Sequence, residues 1–147
     1  ALIKVRDAHR LSQLPTIADD TGLEVDCLGG APGVYSARYA GEAHNDAANR
    51  QKLVEDLRSF SPPYKARFRT VVAYIDAAGA EHLFEGCVEG TIILEERGEA
   101  GFGYDALFVP EGEERTFAQM TEHEKNAMSH RARAITAFSQ YLKQYPL

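Results

Sequence analysis

The sequence predicts an α/β fold, with helices flanking a mixed central sheet. Three observations carry this prediction. Apolar residues recur at helical spacing near both ends of the chain, two β-rich segments follow one another at 65–76 and 81–95, and helical patterns alternate with strand patterns. The 147 residues suit one compact domain covering 1–147, and no repeat or linker rich in Pro, Gly or Ser divides it.

The first predicted helix spans 2–13 and precedes two short strands. Apolar or alanine side chains recur every three residues along one face of this helix, at Leu2, Val5, Ala8 and Leu11. Pro15 ends the helix because proline cannot donate a helical hydrogen bond. Residues 16–18 predict a strand that runs into 19–22, and 23–25 alternate as a second strand.

The middle of the chain predicts a loop, a helix and a hairpin. Residues 29–41 combine several glycines with a Pro-Gly pair, which is typical of a structured loop. A helix follows at 45–58, with Asn45 or Asp46 as its N-cap. Its inward residues are Leu53, Val54 and Leu57. The turn-forming residues 76–79 then join the two β-rich segments as a hairpin.

The last part of the chain predicts a short strand at 104–109 and a C-terminal helix capped by Asn126. This places Lys125 just outside the helix and His130 and Arg131 in its first turns, on the inward face. The inward stripe continues at Ile135, Phe138, Tyr141 and Leu142. Cations beside a helix N-terminus suit an anion or a polar ring edge. A snorkelling arginine and a hydrogen-bonded core histidine are equally good interpretations.

Charge and composition exclude several classes of protein. The chain carries 16 basic and 22 acidic residues, a net charge of −6, without the basic block of a general nucleic-acid binder. Its aliphatic stretches are far shorter than the roughly 18 residues of a membrane span. Without a visible signal peptide, the expected location is the cytoplasm, where Cys27 and Cys87 stay reduced.

The Asp19-Asp20 pair is the first candidate for chemistry, at the end of a predicted strand and before Thr21-Gly22. Carboxylates in such a place can bind Mg²⁺ and orient or deprotonate a water molecule. Because neighbouring strand residues point in opposite directions, we expect one carboxylate to enter a given site. Judged alone, the pattern favours an Asx-turn that caps the following amides.

Residues 101–105, with the sequence Gly-Phe-Gly-Tyr-Asp, are the second candidate. The glycines allow the backbone to approach a flat ligand closely, and Phe102 can stack on a base. Asp105 can then accept hydrogen bonds from N–H groups of the ligand's ring. A tight turn with a core phenylalanine explains the same residues equally well.

Together, these stretches resemble one family. The segments 17–26 (IADDTGLEVD) and 28–41 (LGGAPGVYSARYAG), followed in the same order by 101–105 and 124–131, look like the noncanonical purine nucleoside triphosphate pyrophosphatases, the inosine triphosphatase family. The similarity covers essentially the whole chain. It implies a single pyrophosphatase-like domain of the inosine-triphosphatase fold that hydrolyses ITP, dITP or XTP to the monophosphate and pyrophosphate with Mg²⁺.

The resemblance also implies roles for particular residues. Asp20 would be the metal ligand and general base, and Thr21 would contact the substrate where serine is more usual. Lys4 would lie on the phosphate side. The residues implied to hold the base and the rest of the substrate are Phe102, Gly103, Tyr104, Asp105, Lys125, His130 and Arg131. His130 or Arg131 would donate to O6 of a 6-oxo purine, a donor that adenine leaves unpaired.

Two further expectations follow from the family. Its members form homodimers, so a homodimer is expected here. The family's opening strand and its Gly/Asn/Lys phosphate loop, with an acidic metal ligand, are expected before Ala1, where the chain opens directly into a helical pattern. An alternative function is therefore a catalytically impaired nucleotide-binding or structural remnant.

Overall fold

The computed structural model of the chain describes residues 1–41 and 45–146. Within these ranges, helices and strands alternate, and the predicted α/β class is confirmed. The helices are α1 (Leu2–Ser12), α2 (Asp46–Leu57), α3 (Glu122–Asn126) and α4 (His130–Gln144). The strands are β1 (Thr16–Val25), β2 (Tyr64–Ile75), β3 (Glu81–Ile92) and β4 (Phe108–Pro110).

The described strands form one antiparallel sheet in the order β1-β2-β3-β4. The predicted hairpin is confirmed, because β2 and β3 are neighbours in the sheet and the turn between them is closed by a hydrogen bond from Asp76 N to Ala80 O at 3.0 Å. β3 pairs with β4 so that Ile92 lies opposite Phe108. None of the helices within the described ranges has both the length and the apolar character needed to cross a bilayer.

The chain divides into two compact units. Unit 1 comprises Ala1–Thr21, Arg69–Cys87 and Ser129–Leu147, and unit 2 comprises Gly22–Phe68 and Val88–Met128. Each has its own hydrophobic core. The single domain expected over 1–147 stays a prediction.

The core of unit 1 has an aliphatic and an aromatic part. Val5 of α1 clusters with Ala73 and Ile75 of β2, and all three are buried. The second half of the stripe predicted for α1 is wrong, because Ala8 and Leu11 are exposed. The core contact is confined to the first turns of that helix.

The aromatic part of unit 1 joins α4 to the sheet. The ring of Phe138 lies 5.2 Å from that of Tyr74 on β2 and 5.5 Å from that of Phe84 on β3, between centroids. Tyr141 packs on Phe84 at 5.3 Å. Such tilted pairs contribute about 0.5–1.5 kcal/mol each beyond their buried area. The prediction that this stripe faces inward holds for these two residues but is wrong for Ile135, which is exposed.

The core of unit 2 is built between α2 and the sheet. Leu53 and Leu57 of α2 are fully buried, as the helical spacing predicts, and each contributes about 1.5–3 kcal/mol by leaving water. Asn45 caps this helix, since its side chain accepts a hydrogen bond from Ala48 N at 3.1 Å. Phe68 and Phe108 pack with their ring centroids 4.6 Å apart.

Two predicted boundaries are wrong because another local pattern forms instead. The strand predicted from residue 104 begins at Phe108. Before it, Asp105 N bonds to Phe102 O and Leu107 N to Tyr104 O, so the chain turns. The C-terminal helix is capped by Ser129, which accepts from Ala132 N at 3.1 Å, whereas Asn126 is the last residue of α3.

Candidate functional site

Asp19 and Asp20, called here the carboxylate pair, lie inside β1 in unit 1. The sequence predicts a strand end and a turn at this point, but residues 19–22 continue the strand. The expectation of an Asx-turn and of two separate short strands is therefore wrong. Neighbouring strand residues alternate in direction, so the two carboxylates point to different sides, and each meets a different helix.

Each carboxylate of the pair lies near a cation from a helix of unit 1. The Lys4 ammonium on α1 is 3.9 Å from Oδ1 of Asp20 and donates a hydrogen bond to the backbone oxygen of Asp19. Arg131 on α4 approaches Asp19, with Nε 3.6 Å from Oδ2. The side chains of all four residues remain about half exposed. Solvent screens such pairs, so they contribute little to stability and stay available to a ligand.

Thr21 directly follows the carboxylate pair, and its hydroxyl is held by β2. Its Oγ1 lies 2.8 Å from Oγ1 of Thr70, which is fully buried. Because a threonine hydroxyl can donate once and accept as well, this bond leaves Thr21 with further hydrogen-bonding capacity. Thr70 is a contact that the sequence did not identify, since nothing in the pattern of β2 marks it as the partner of Thr21.

His130 and Arg131, at the start of α4, differ in their exposure to solvent. Both are in the first turn, as predicted, but only His130 is buried, whereas the Arg131 side chain is half exposed. The expectation that both extend the inward face is therefore wrong for Arg131. Gly86 of β3 packs so closely on this turn that a Cβ there would overlap the backbone of His130 and Ala134. Because glycine has no side chain, β3 can pack directly on the first turn of α4 and hold it in place.

Residues 101–105, called here the aromatic loop, belong to unit 2 and adopt a conformation that requires glycine. Gly101 and Gly103 have φ values of 77° and 59°, the left-handed region where a side chain is strained. A Cβ at Gly101 would also overlap Oδ2 of Asp105. The two glycines thus explain how the chain bends sharply on both sides of Phe102.

Asp105 and Lys125 hold the aromatic loop from within. Asp105 is 5% exposed, and its Oδ2 accepts hydrogen bonds from Phe102 N at 3.1 Å and from Lys125 Nζ at 2.6 Å. The Lys125 ammonium also lies 4.9 Å from the ring centroid of Phe102. The Asp105 carboxylate is therefore engaged by its own loop and by α3.

The two aromatic residues of the loop have opposite environments. The Phe102 side chain is exposed, whereas Tyr104 is buried and its hydroxyl donates to Ser36 O at 2.6 Å. Burial, helped by the nearby charges of Tyr39 and Asp46, raises the pKa of Tyr104 above its ordinary value. Its phenol therefore stays protonated and anchors the loop, while the Phe102 ring is available for stacking.

Helix α2 supplies two contacts to the loop that the sequence did not identify. Gly103 N donates to Oδ2 of Asp46 at 2.9 Å, and Nη1 of Arg50 donates to Gly103 O at 2.8 Å. Asp46 and Arg50 are four residues apart, so they share one face of the helix. That spacing was the only signal in the sequence, and it is common on solvated helices.

The predicted site residues thus fall into two groups. Unit 1 contains Lys4, Asp20, Thr21, His130 and Arg131, and unit 2 contains Phe102, Gly103, Tyr104, Asp105 and Lys125. Within the described ranges, no three His, Cys, Asp or Glu side chains converge as a ready metal cluster. Mg²⁺, however, commonly binds through one or two carboxylates, with water and substrate phosphates as its other ligands. The exposed carboxylate of Asp20 fits that kind of donor set.

The fold and these groups define an α/β protein that has an exposed carboxylate with a cation beside it and a braced aromatic loop. A sequence model of the Ham1 family matches residues 1–141. The chain belongs to the Ham1 family.

Individual relatives agree with this assignment. A dITP/XTP pyrophosphatase of Porphyromonas gingivalis is 54% identical over 142 residues, covering 97% of this chain and 73% of the relative. The Bacillus subtilis protein of the same name is 43% identical and covers the same shares. The solved Ham1 protein of Staphylococcus aureus is 38% identical, with a TM-score of 0.93 over 98% of this chain and 74% of that one.

Proposed function

We propose that this chain hydrolyses noncanonical purine nucleoside triphosphates (ITP, dITP and XTP) to the monophosphate and pyrophosphate, with Mg²⁺ as cofactor. The observation that carries the proposal is the high identity to proteins named dITP/XTP pyrophosphatase over 97% of the chain. The exposed carboxylate of Asp20 and the braced aromatic loop support it, since the reaction needs a place for charged phosphates and one for a base.

The proposed chemistry centres on Asp20. Hydrolysis consumes one water, breaks the anhydride between the α and β phosphates, and releases a proton that a carboxylate can accept. Asp20 orients this water and takes the proton, while Lys4 compensates phosphate charge. Mg²⁺, when bound at Asp20, would add charge neutralisation and lower the pKa of a bound water. Local cations of this kind allow a chain of net charge −6 to bind a polyanion.

The family resemblance assigns two contacts with the base, stacking by Phe102 in unit 2 and a donor in unit 1, and each is argued from its own surroundings. The Phe102 ring, 66% exposed, offers a stacking surface of the kind that purines use. The half-exposed guanidinium of Arg131 is the donor proposed for O6 of a 6-oxo purine, in preference to the buried His130. An adenine amino group would leave that donor unpaired, at a cost of about 1–3 kcal/mol.

The proposal extends to the state of the protein. We assign it a single functional domain, a homodimeric assembly and a cytoplasmic location, with neither nucleic acid nor membrane as a partner. Val34 and Tyr35 support the assembly, because these exposed apolar side chains adjoin one another on the 3₁₀ turn Gly33–Arg38.

The test is pyrophosphate release from ITP, dITP and XTP by the full chain with Mg²⁺, beside GTP and ATP. Asp20→Asn keeps the shape of the side chain but removes the base, so kcat should fall by about 10²–10⁴-fold. Asp7→Asn, which changes an exposed carboxylate on α1, should stay within about twofold. Unchanged turnover in Asp20→Asn would refute the role of Asp20. ITP binding without turnover in the parent chain would favour the impaired nucleotide-binding alternative.

A further inference from the structure

Charged side chains hydrogen-bond to the peptide groups on both sides of Phe102, although the ring of this residue is exposed. Asp46 Oδ2 accepts from Gly103 N at 2.9 Å, and Arg50 Nη1 donates to Gly103 O at 2.8 Å. Both polar atoms of Gly103 are thus bound by charged side chains of one helix. Hydrogen bonds that involve a charged group are roughly twice as strong as neutral ones.

The other side of Phe102 is held as well. Its backbone N donates to Asp105 Oδ2 at 3.1 Å, and that carboxylate is in turn bound by Lys125. The backbone is therefore held on both sides of a residue whose side chain is 66% exposed. An exposed phenylalanine gains little folding stability from such bracing, whereas a stacking surface gains from being held in advance in its binding orientation.

Arg50 is itself held in place. Its Nε donates to Oε1 of Glu96 at 2.8 Å, and its side chain is largely buried. Two hydrogen-bonding partners at different nitrogens limit the rotamers of a long side chain, so Nη1 stays directed at Gly103 O. Asp46 is the first residue of α2, where Asn45 already caps the helix. Its bond to Gly103 is thus additional to the helix cap.

We infer that Asp46 and Arg50 are positioning residues that hold the aromatic loop, through Gly103, in the orientation in which Phe102 stacks on the purine of the substrate. This inference rests on the proposed function for the identity of the ligand. Both residues contact the backbone of the loop, and the inference gives them no part in the reaction at the phosphates. Their loss should weaken base binding in the ground state and the transition state alike, and so raise KM without lowering kcat.

The experiment compares Asp46→Ala with Asp46→Asn. Alanine removes the acceptor of Gly103 N, whereas asparagine keeps an acceptor oxygen and removes the charge. For Asp46→Ala, KM for ITP should rise about tenfold with kcat within twofold, and the Kd of inosine 5′-monophosphate should rise in parallel. Hydrogen exchange at the Gly103 amide should become faster. Asp46→Asn should restore most of each value.

Two controls separate positioning from helix stability. Asp56→Ala removes a carboxylate from the same helix whose partners are Tyr39 and Lys52, so it should cost stability and leave KM unchanged. If Asp46 instead acts by its charge at the helix N-terminus, Asp46→Asn should be as impaired as Asp46→Ala. That result would overturn the inference.

The remaining outcomes separate a role in base binding from a role in holding the loop. Faster exchange at Gly103 in Asp46→Ala, with unchanged KM and unchanged Kd for inosine 5′-monophosphate, would refute a role in base binding. Unchanged exchange would show that Asp46 does not hold the loop. If the parent chain releases no pyrophosphate, the proposed function fails by itself, while the exchange and monophosphate-binding measurements still test the positioning role.

Discussion

Replacing Lys125 by methionine should destabilise the chain more than breaking an exposed ion pair does. The Lys125 side chain is 17% exposed and that of Asp105 is 6% exposed, with 2.6 Å between Nζ and Oδ2. Methionine keeps most of the side-chain volume but leaves a buried carboxylate without its cation. Breaking a buried pair in this way costs about 3–5 kcal/mol, and the residual exposure of Lys125 reduces our expectation to about 2–3 kcal/mol.

Urea unfolding followed by circular dichroism measures this loss. With a slope of about 2 kcal/mol per molar urea, the midpoint should fall by about 1–1.5 M. Lys52→Met is the matched control, because it breaks a more exposed pair with Asp56, and it should cost less than about 1 kcal/mol. Adding Asp105→Asn to Lys125→Met should recover about 1 kcal/mol, since the buried charge is gone and an acceptor for Phe102 N remains. Equal losses in the two lysine variants would refute the reasoning.

Two further predictions concern the start of α4 and a surface ion pair. Gly86→Ala should lower the free energy of unfolding by about 1–3 kcal/mol, because the new methyl group overlaps the backbone of His130 and Ala134. A melting temperature unchanged within error would contradict this close packing. Hydrogen bonding to Arg115 lowers the pKa of Glu124 to about 2. The ionised Glu124 carboxylate therefore stabilises the fold fully above its ordinary pKa of 4.5, and this stabilisation is lost as the pH falls towards 2. The Tm difference between the parent and Glu124→Gln should accordingly shrink below pH 4.5. A difference independent of pH would exclude this pair as its source.

The two groups of site residues differ in how they are held. The carboxylate pair and its cations are half exposed and weakly paired, whereas the aromatic loop is tied by buried hydrogen bonds. This difference suits their proposed tasks. Phosphate and metal binding requires charges that can exchange partners, whereas base selection requires a surface of fixed orientation.

Local signals predicted much of the fold. The helix at 45–58 is correct to within a residue at each end, because its cap, Asn45, and its buried leucines all lie within that segment. The hairpin at 76–79 is correct for the same reason, since the Asp76 carboxylate accepts hydrogen bonds from amides of its own turn. Such interactions need only a few neighbouring residues to form.

One error occurs where pairing between distant segments outweighs a local preference, and another where two local patterns compete. Asp19 and Asp20 have the residue types of a turn, yet pairing in the sheet extends β1 through them. Asn126 and Ser129 are both good N-caps, and sequence spacing could not rank them. Ser129 caps the last helix in the structure, and close packing of Gly86 holds the turn that follows it.

The sequence by itself determined the α/β class, the main helix and hairpin, and the residue types that carry the proposed chemistry, because each is written in a short stretch of chain. Only the tertiary structure decided which other side chains hold the proposed site residues in place. Asp46 and Gly103 are separated by 57 residues and meet only because α2 packs beside the aromatic loop. The tertiary structure also buries Asp105 and leaves Phe102 exposed, which their positions in one short motif do not reveal. Burial depends on what the rest of the chain places over a residue, and no local pattern encodes that.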